Sequence, residues 1–149
     1  MPRLDAAIDI KVSPEKVFTF ISDVETQPLW ARWSKEVEIT SLSRRGLGTT
    51  DASVLQLMGK KYPTEGLISE YTENQSMSRR ITRGFELLES YTLIPNEKGD
   101  TTTLNYVIDY TPPFGGVGKV FNFLFMNRLF EQLQGDSLLS LKERLENAK

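Results

Sequence analysis

The feature that most restricts the fold is a series of closely spaced strand patterns between residues 35 and 110. Val37 and Ile39 alternate with polar neighbours and begin the series. Five further runs follow at 49–58, 61–71, 76–83, 85–94 and 101–110. The connections between the runs contain the turn-forming residues Gly46, Gly48, Gly59, Asn74, Gly84 and 96–100. Strands separated by such short connections pair antiparallel, because a parallel pair needs a long crossover.

Regular patterns also flank this series on both sides. Residues 4–12 alternate apolar and polar side chains and predict one more strand. Pro14 follows a serine and begins a short amphipathic helix, and Asp23 and Pro28 favour a second short helical segment. A helical pattern over residues 117–147 ends the chain.

These patterns predict a single α+β domain over residues 1–149. Its sheet has seven antiparallel strands, and two short helices follow the first strand. The C-terminal helix is the one long element available to cover the apolar face of the sheet. A strongly curved sheet cannot close tightly around one helix everywhere, so an internal apolar cavity is expected between them.

Two absences in the composition exclude whole classes of chemistry. The 149 residues include no cysteine and no histidine. Disulfides, thiol nucleophiles and Ser-His-Asp triads are therefore excluded. Zinc sites normally use one of these two residue types, so we expect neither a metal nor a cofactor.

The distribution of charge and hydropathy excludes further classes. The chain has 18 basic and 20 acidic residues and a net charge of −2, which gives no basic excess for binding nucleic acid. Polar residues interrupt the longest apolar-rich stretch, 117–133, so we expect no integral membrane segment. No signal-peptide pattern precedes the first strand. A soluble, cytoplasmic protein is expected.

Several motifs along the chain suggest a family. They are Ile-Asp-Ile-Lys-Val-Ser-Pro-Glu-Lys-Val-Phe at 8–18, Ile21–Glu25, Trp30 with Trp33, Glu70-Tyr71, Tyr91–Pro95 and Tyr110–Gly118. In these motifs the whole chain resembles the polyketide cyclase/dehydrase-like and START-related families, called the SRPBCC superfamily. The resemblance implies a helix-grip fold with a deep apolar ligand cavity. Members include aromatase/cyclases, coenzyme Q-binding proteins and lipid carriers, and no catalytic motif is common to all of them.

Residues 76–94 predict a pair of opposite charges on the inner face of a hairpin. With a three-residue turn centred on Gly84, Arg79 lies opposite Glu89 among apolar neighbours. Such a pair could anchor a ligand carbonyl. In an enzyme it would be catalytic, with Arg79 polarising a carbonyl or stabilising a developing enolate, and with Glu89 or a tyrosine moving the proton. The alternative is a structural or solvent-facing pair, and a two-residue turn would separate the charges.

Aromatic and apolar residues on the predicted inner faces are the candidate ligand contacts. They are Trp30, Trp33, Tyr62, Met77, Ile81, Tyr91, Tyr106, Ile108, Phe121 and Phe125. A tryptophan offers a flat apolar wall, and a buried tyrosine hydroxyl needs a partner that a ligand oxygen could supply. The alternative for each residue is ordinary core packing. The surplus of phenylalanines at the start of the C-terminal helix could also contact a partner or a membrane surface.

The sequence thus predicts binding or carriage of a small hydrophobic, aromatic or isoprenoid ligand in an internal cavity. One alternative is a polyketide aromatase/cyclase or a dehydratase-type enzyme. A second alternative is a lipid-shuttling or protein-interaction partner that uses the Phe-rich helix start. A homodimer is compatible with the same surplus of apolar residues.

Overall fold

A computed structural model of the chain describes residues 3–84, 86–111 and 119–148, and the side chains of 119–123 lie outside this description. The strands are β1 (Arg3–Ile10), β2 (Ser34–Ile39), β3 (Thr50–Leu57), β4 (Lys60–Thr72), β5 (Ser76–Arg83), β6 (Glu86–Pro95) and β7 (Thr102–Thr111). The helices are α1 (Pro14–Ile21), α2 (Gln27–Trp30) and α3 (Lys119–Asn147), with a 3-10 turn at Val24–Thr26. The predicted order of elements is confirmed.

The seven strands of the described residues form one antiparallel sheet in the order β1-β7-β6-β5-β4-β3-β2. Strands β2 to β7 are the predicted meander, and β1 pairs with β7. Strands β3, β4, β6 and β7 bury alternate residues; in β7 every second residue from Thr102 to Tyr110 is buried. The period-two alternation of the sequence therefore separates an inner face from an outer face.

Helix α3 covers the inner face. Its buried residues are Met126, Phe130, Gln134, Ser137, Leu138, Leu141 and Leu145. The Gln134 side-chain amide donates to the backbone oxygens of Tyr106 at 2.8 Å and Leu4 at 3.3 Å, which ties α3 to β7 and β1. In the part of the chain that the structure describes, no helix is both long and apolar enough to cross a membrane.

The segment between β1 and β2 brings polar and aromatic side chains to the sheet. Helix α1 begins at Pro14 as predicted, but the Ser13 side chain makes no capping hydrogen bond. Asp23 does cap, since its carboxylate accepts a backbone N–H two residues on at 3.2 Å. The short helix α2 follows and buries the side chains of Gln27 and Trp30.

Candidate functional site

A buried ion cluster lies on the inner face of the sheet. Arg79 on β5 is 3% exposed, Asp51 on β3 is 1% exposed and Glu89 on β6 is fully buried. The Arg79 Nε and Nη2 atoms donate to the two Asp51 oxygens at 3.0 and 2.7 Å. Its Nη1 donates to Glu89 Oε2 at 2.9 Å. The predicted contact between Arg79 and Glu89 is therefore present, and Asp51 is a second carboxylate that the sequence analysis did not identify.

The turn at Gly84 sets the register that brings the pair together. Gly84 has φ +88°, and a Cβ there would lie 2.3 Å from the carbonyl oxygen of Pro63, so only glycine fits. The pairing of β5 with β6 places Arg79 opposite Glu89. This is the register of the predicted three-residue turn, and it is confirmed. The solvent-facing alternative is excluded by the burial of both side chains.

Arg79 uses all five of its N–H groups within the protein. In addition to the three bonds to carboxylates, Nη2 donates to Ser53 Oγ at 3.2 Å and Nη1 donates to Gln27 Oε1 at 3.4 Å. A guanidinium has five N–H donors, so every one has an acceptor. Burial alone would lower the pKa of Arg79, but its bonds to Asp51 and its proximity to Glu89 raise it above the usual value.

Glu89 accepts hydrogen bonds on both of its oxygens. Gln27 Nε2 lies 2.8 and 3.0 Å from them, and the Tyr91 hydroxyl donates at 3.1 Å. The Tyr106 hydroxyl donates to the same carboxylate. Burial raises the pKa of both tyrosines, and the neighbouring Glu89 charge raises it further. Both phenols are therefore protonated donors at neutral pH.

The approach of β4 to the ion cluster requires a residue without a side chain. Gly66 pairs with Asp51 across β3 and β4. A Cβ at Gly66 would lie 2.6 Å from Asp51 Oδ2 and 2.8 Å from Arg79 Nε. These separations are shorter than van der Waals contact, so any larger residue would push the ion pair aside.

Four of the predicted aromatic residues pack as one group beside the cluster. Tyr91 and Tyr106 stack with ring centroids 4.6 Å apart, and Trp33 stacks on Tyr106 at 6.0 Å. Trp30 meets the two tyrosines edge-on at 6.2 and 6.0 Å. Trp30 is 2% exposed, and its indole N–H has no acceptor among the described residues. A buried donor without an acceptor costs about 1–3 kcal/mol.

A small cavity adjoins the ion cluster. Its volume is about 10 Å³, which is the space needed for one water molecule. Its polar lining is Gln27, Ser34, Ser53, Thr64, Arg79 and Glu89, and its apolar lining is Trp33, Val54, Leu55, Ile81 and Leu87. The sequence predicts a larger internal cavity, but around the cluster these side chains fill most of the space.

A larger cleft lies across β2, β3 and β4. Its volume is about 700 Å³, and its lining includes Glu36, Glu38, Glu65 and Arg83. Arg83 and Glu65 form an exposed ion pair at 3.5 Å, which contributes little stability. The cleft is open to solvent and four of its ten lining residues are charged, so it lacks the enclosed apolar surroundings that a hydrophobic ligand requires.

The remaining predicted contact residues lie in different places. Met77 and Ile108 are buried at 1% and 0% exposure in the core of the inner face. Tyr62 is partly buried and packs against this core. Phe125 is 48% exposed on α3 and does not line the small cavity. Phe121 lies outside the side chains that the structure describes.

Three of the residues that accept hydrogen bonds from Arg79 were absent from the sequence-based prediction. Asp51 and Ser53 alternate in step with Leu55 and Leu57, so the period of β3 already marks them as inward-facing. No comparable signal exists for Gln27. It lies in a helix of four residues, and its contact with the ion cluster arises from tertiary packing.

A seven-stranded antiparallel sheet curved around one long helix, with a buried polar site on its inner face, defines the helix-grip class. The chain belongs to the family described as polyketide cyclase / dehydrase and lipid transport, whose family model matches residues 1–146. The resemblance identified from the sequence motifs is confirmed. Membership supports a ligand-binding or cyclase role in general. A search of curated proteins found no match to this chain.

Several solved structures share this fold over nearly the whole chain. The protein TTHA0849 from Thermus thermophilus has a TM-score of 0.79 at 21% identity, covering 99% of both chains. The Zhui aromatase/cyclase from a Streptomyces species has a TM-score of 0.78 at 10% identity, covering 97% of this chain and 93% of that one. A START superfamily protein from Mycobacterium smegmatis has a TM-score of 0.69 at 18% identity, covering 98% and 95%. At these identities the likeness is one of fold.

Proposed function

We propose that the protein binds or carries a small hydrophobic, aromatic or isoprenoid molecule on the inner face of the sheet, beside the ion cluster. The observation that carries this proposal is the cavity in which Glu89 and Ser53 face Trp33, Ile81 and Leu87. Ligand sites combine an apolar surface with fixed polar groups, and this lining provides both, with five apolar and six polar residues. The family description, which includes lipid transport, supports the same function.

The unpaired indole N–H of Trp30 supports a ligand that carries an oxygen acceptor. This donor is buried beside Tyr91 and Tyr106, outside the lining of the small cavity, and has no acceptor among the described residues. A ligand carbonyl or hydroxyl that reaches it would remove the cost of the unpaired group. The proposed ligand is therefore a largely apolar molecule with at least one oxygen.

All five N–H donors of Arg79 are already used within the protein, and this favours a binding function over a catalytic one. To polarise a substrate carbonyl, Arg79 would have to release Asp51, Glu89 or one of its neutral acceptors. Electrostatic catalysis instead depends on donors that are already aimed at the reacting oxygen. The aromatase/cyclase and dehydratase alternatives remain predictions that no contact of Arg79 favours.

A ligand larger than water must displace side chains from the cavity. Trp33, Leu55, Ile81 and Leu87 line its apolar side, and the cavity volume is about 10 Å³. Binding therefore selects a conformation in which these side chains move apart. Because Trp33 is one of them, its fluorescence is expected to change on binding.

The test is ligand-dependent stabilisation. We expect one or more members of a library of isoprenoid alcohols, neutral lipids and aromatic ketones to raise the free energy of unfolding by about 2.7 kcal/mol at a hundred times the Kd. Ile81→Phe, which fills the cavity, should weaken binding. Ile94→Phe, at a side chain 49% exposed, is the matched control and should not. A library in which no member stabilises the protein would contradict the proposal.

The interaction alternative concerns a different part of the molecule. Leu124 and Phe125, near the start of α3, are 59% and 48% exposed. A lipid-shuttling or protein-interaction role for this helix start remains a prediction, and so does a homodimer.

A further inference from the structure

We infer that the ligand is electrically neutral, with a hydroxyl, carbonyl or amide group rather than a carboxylate or an ammonium group. This inference rests on the proposed binding function and narrows its ligand class. Two observations support it. Charged side chains lie at the cavity, and their hydrogen-bond donors and acceptors are already used by other protein groups.

Both acidic residues of the cluster accept hydrogen bonds on both of their carboxyl oxygens. The two Asp51 oxygens each accept from Arg79, and the two Glu89 oxygens each accept from Gln27. Guanidinium and amide nitrogens can only donate, so a carboxyl proton at these contacts would point at another donor. Two acidic side chains therefore share one guanidinium, so acidic groups outnumber basic groups in the cluster.

An anionic ligand would find no free cation in this cavity. Arg79 is the one basic residue among the described residues that line it, and its five donors are already used. A ligand carboxylate would either lie beside Glu89 or displace it from Arg79. Like charges repel strongly in a buried site, and a displaced buried carboxylate loses its partner.

A cationic ligand is also poorly matched, although the cluster holds two acidic groups and one basic group. The Glu89 oxygens already accept from two tyrosine hydroxyls, an amide and the guanidinium. An ammonium group would lose its water and find these acceptor positions occupied. A neutral ligand avoids both costs, and the unpaired indole N–H of Trp30 is a donor suited to a neutral oxygen.

Calorimetric titration of the wild-type protein with matched probes tests the inference. One set is β-naphthamide, β-naphthoate and β-naphthylmethylamine, and the other is lauramide, laurate and laurylamine. We expect the amide to bind at least about tenfold more tightly than the acid or the amine of its set, which corresponds to about 1.4 kcal/mol. A charged probe that binds as tightly as its amide would overturn the inference and leave the proposed function standing. Binding by none of the probes would contradict the proposed function itself.

Glu89→Gln tests the cause of the preference. The substitution removes one negative charge at nearly constant size, and we expect the preference for amide over carboxylate to shrink about tenfold. Glu65→Gln, at a side chain 52% exposed, is the matched control and should keep the preference. An unchanged preference in Glu89→Gln would overturn the inference. Should this variant fail to fold, Asp51→Asn removes the same unit of charge, and the wild-type titrations already decide between the outcomes.

Discussion

At the scale of single residues, Arg79 links several elements of the fold through its hydrogen bonds. Its bonds to Asp51, Glu89 and Gln27 connect β5 with β3, β6 and α2. A buried ion pair adds little net stability compared with an apolar replacement, but loss of one partner leaves an uncompensated charge. Our hypothesis is that the cluster fixes the spacing of these elements around the ligand site.

Arg79→Met tests this hypothesis. The substitution leaves Asp51 and Glu89 buried without a counter-charge, so we expect the free energy of unfolding to fall by about 3–5 kcal/mol. Urea denaturation measures the change. Arg80→Met, at the exposed neighbouring position, is the control and should change stability by less than about 0.5 kcal/mol. Equal effects at the two positions would show that the cluster does not hold the fold together.

Gly66→Ala tests how closely the strands pack on the ion pair. The new Cβ would overlap Asp51 Oδ2 at 2.6 Å, so we expect a loss of about 1–3 kcal/mol in urea denaturation. Gly135→Ala, at a position with nothing within 4 Å of the new Cβ, is the matched control. Wild-type stability in Gly66→Ala would mean that the ion pair shifts without cost.

At the scale of elements, the sequence was sufficient for the strands and for the antiparallel order of β2 to β7, whereas the pairing of β1 with β7 was not predicted. Alternation with period two identifies the inner face, and short turns leave antiparallel neighbours as the available pairing. The register of β5 and β6 was also predictable, because Gly84 marks the centre of their turn. Helix α3 ends at Asn147 as predicted, whereas the predicted start at Val117 lies outside the described residues.

The composition of the site was predictable only in part. The alternation of side chains along β3 could have identified Asp51 as inward-facing, since it lies on the same face of the strand as Leu55 and Leu57. The contact of Gln27 with Glu89 could not be predicted, because it depends on how α2 packs on the sheet. Cavity volume was equally inaccessible, because a residue pattern gives faces and not the space left between packed side chains.

Helix α3 gives a prediction at this scale. Gly135 lies in the interior of α3, where a glycine in a helical pattern suggests either a bend or a close backbone contact. In the structure the helix continues through this position, and no described atom outside the helix backbone lies within 4 Å of a Cβ built there. We therefore expect Gly135→Ala to stabilise the protein by about 1 kcal/mol, measured by the urea midpoint. A loss of stability would reveal a contact or a bend that requires glycine.

At the scale of the whole molecule, the buried tyrosines are expected to make the free energy of unfolding decrease at alkaline pH. Burial raises the pKa of Tyr91 and Tyr106 above the usual value, and that of Tyr110 to about 12. In the unfolded chain a tyrosine ionises near pH 10. Above that pH the unfolded state releases protons that the folded state keeps, so the free energy of unfolding falls as pH rises. Below about pH 10 this contribution to stability is complete.

Tyrosinate absorbance, recorded together with a probe of unfolding, checks this behaviour. We expect Tyr91, Tyr106 and Tyr110 to ionise only as the protein unfolds, since their side chains are buried. Ionisation of all five tyrosines near pH 10 in the folded protein would contradict it.

The position of the ligand is the central claim about the molecule as a whole. Because Gln134 ties α3 to the sheet, we expect the site to open through movements of side chains rather than of the helix. The most direct measurement is a titration of the methyl-labelled protein with a neutral ligand, followed by NMR. The expected result is that the methyl signals of Leu55, Ile81 and Leu87 shift and saturate together. Shifts confined to exposed methyl groups, such as those of Leu124, would contradict a binding site beside the ion cluster.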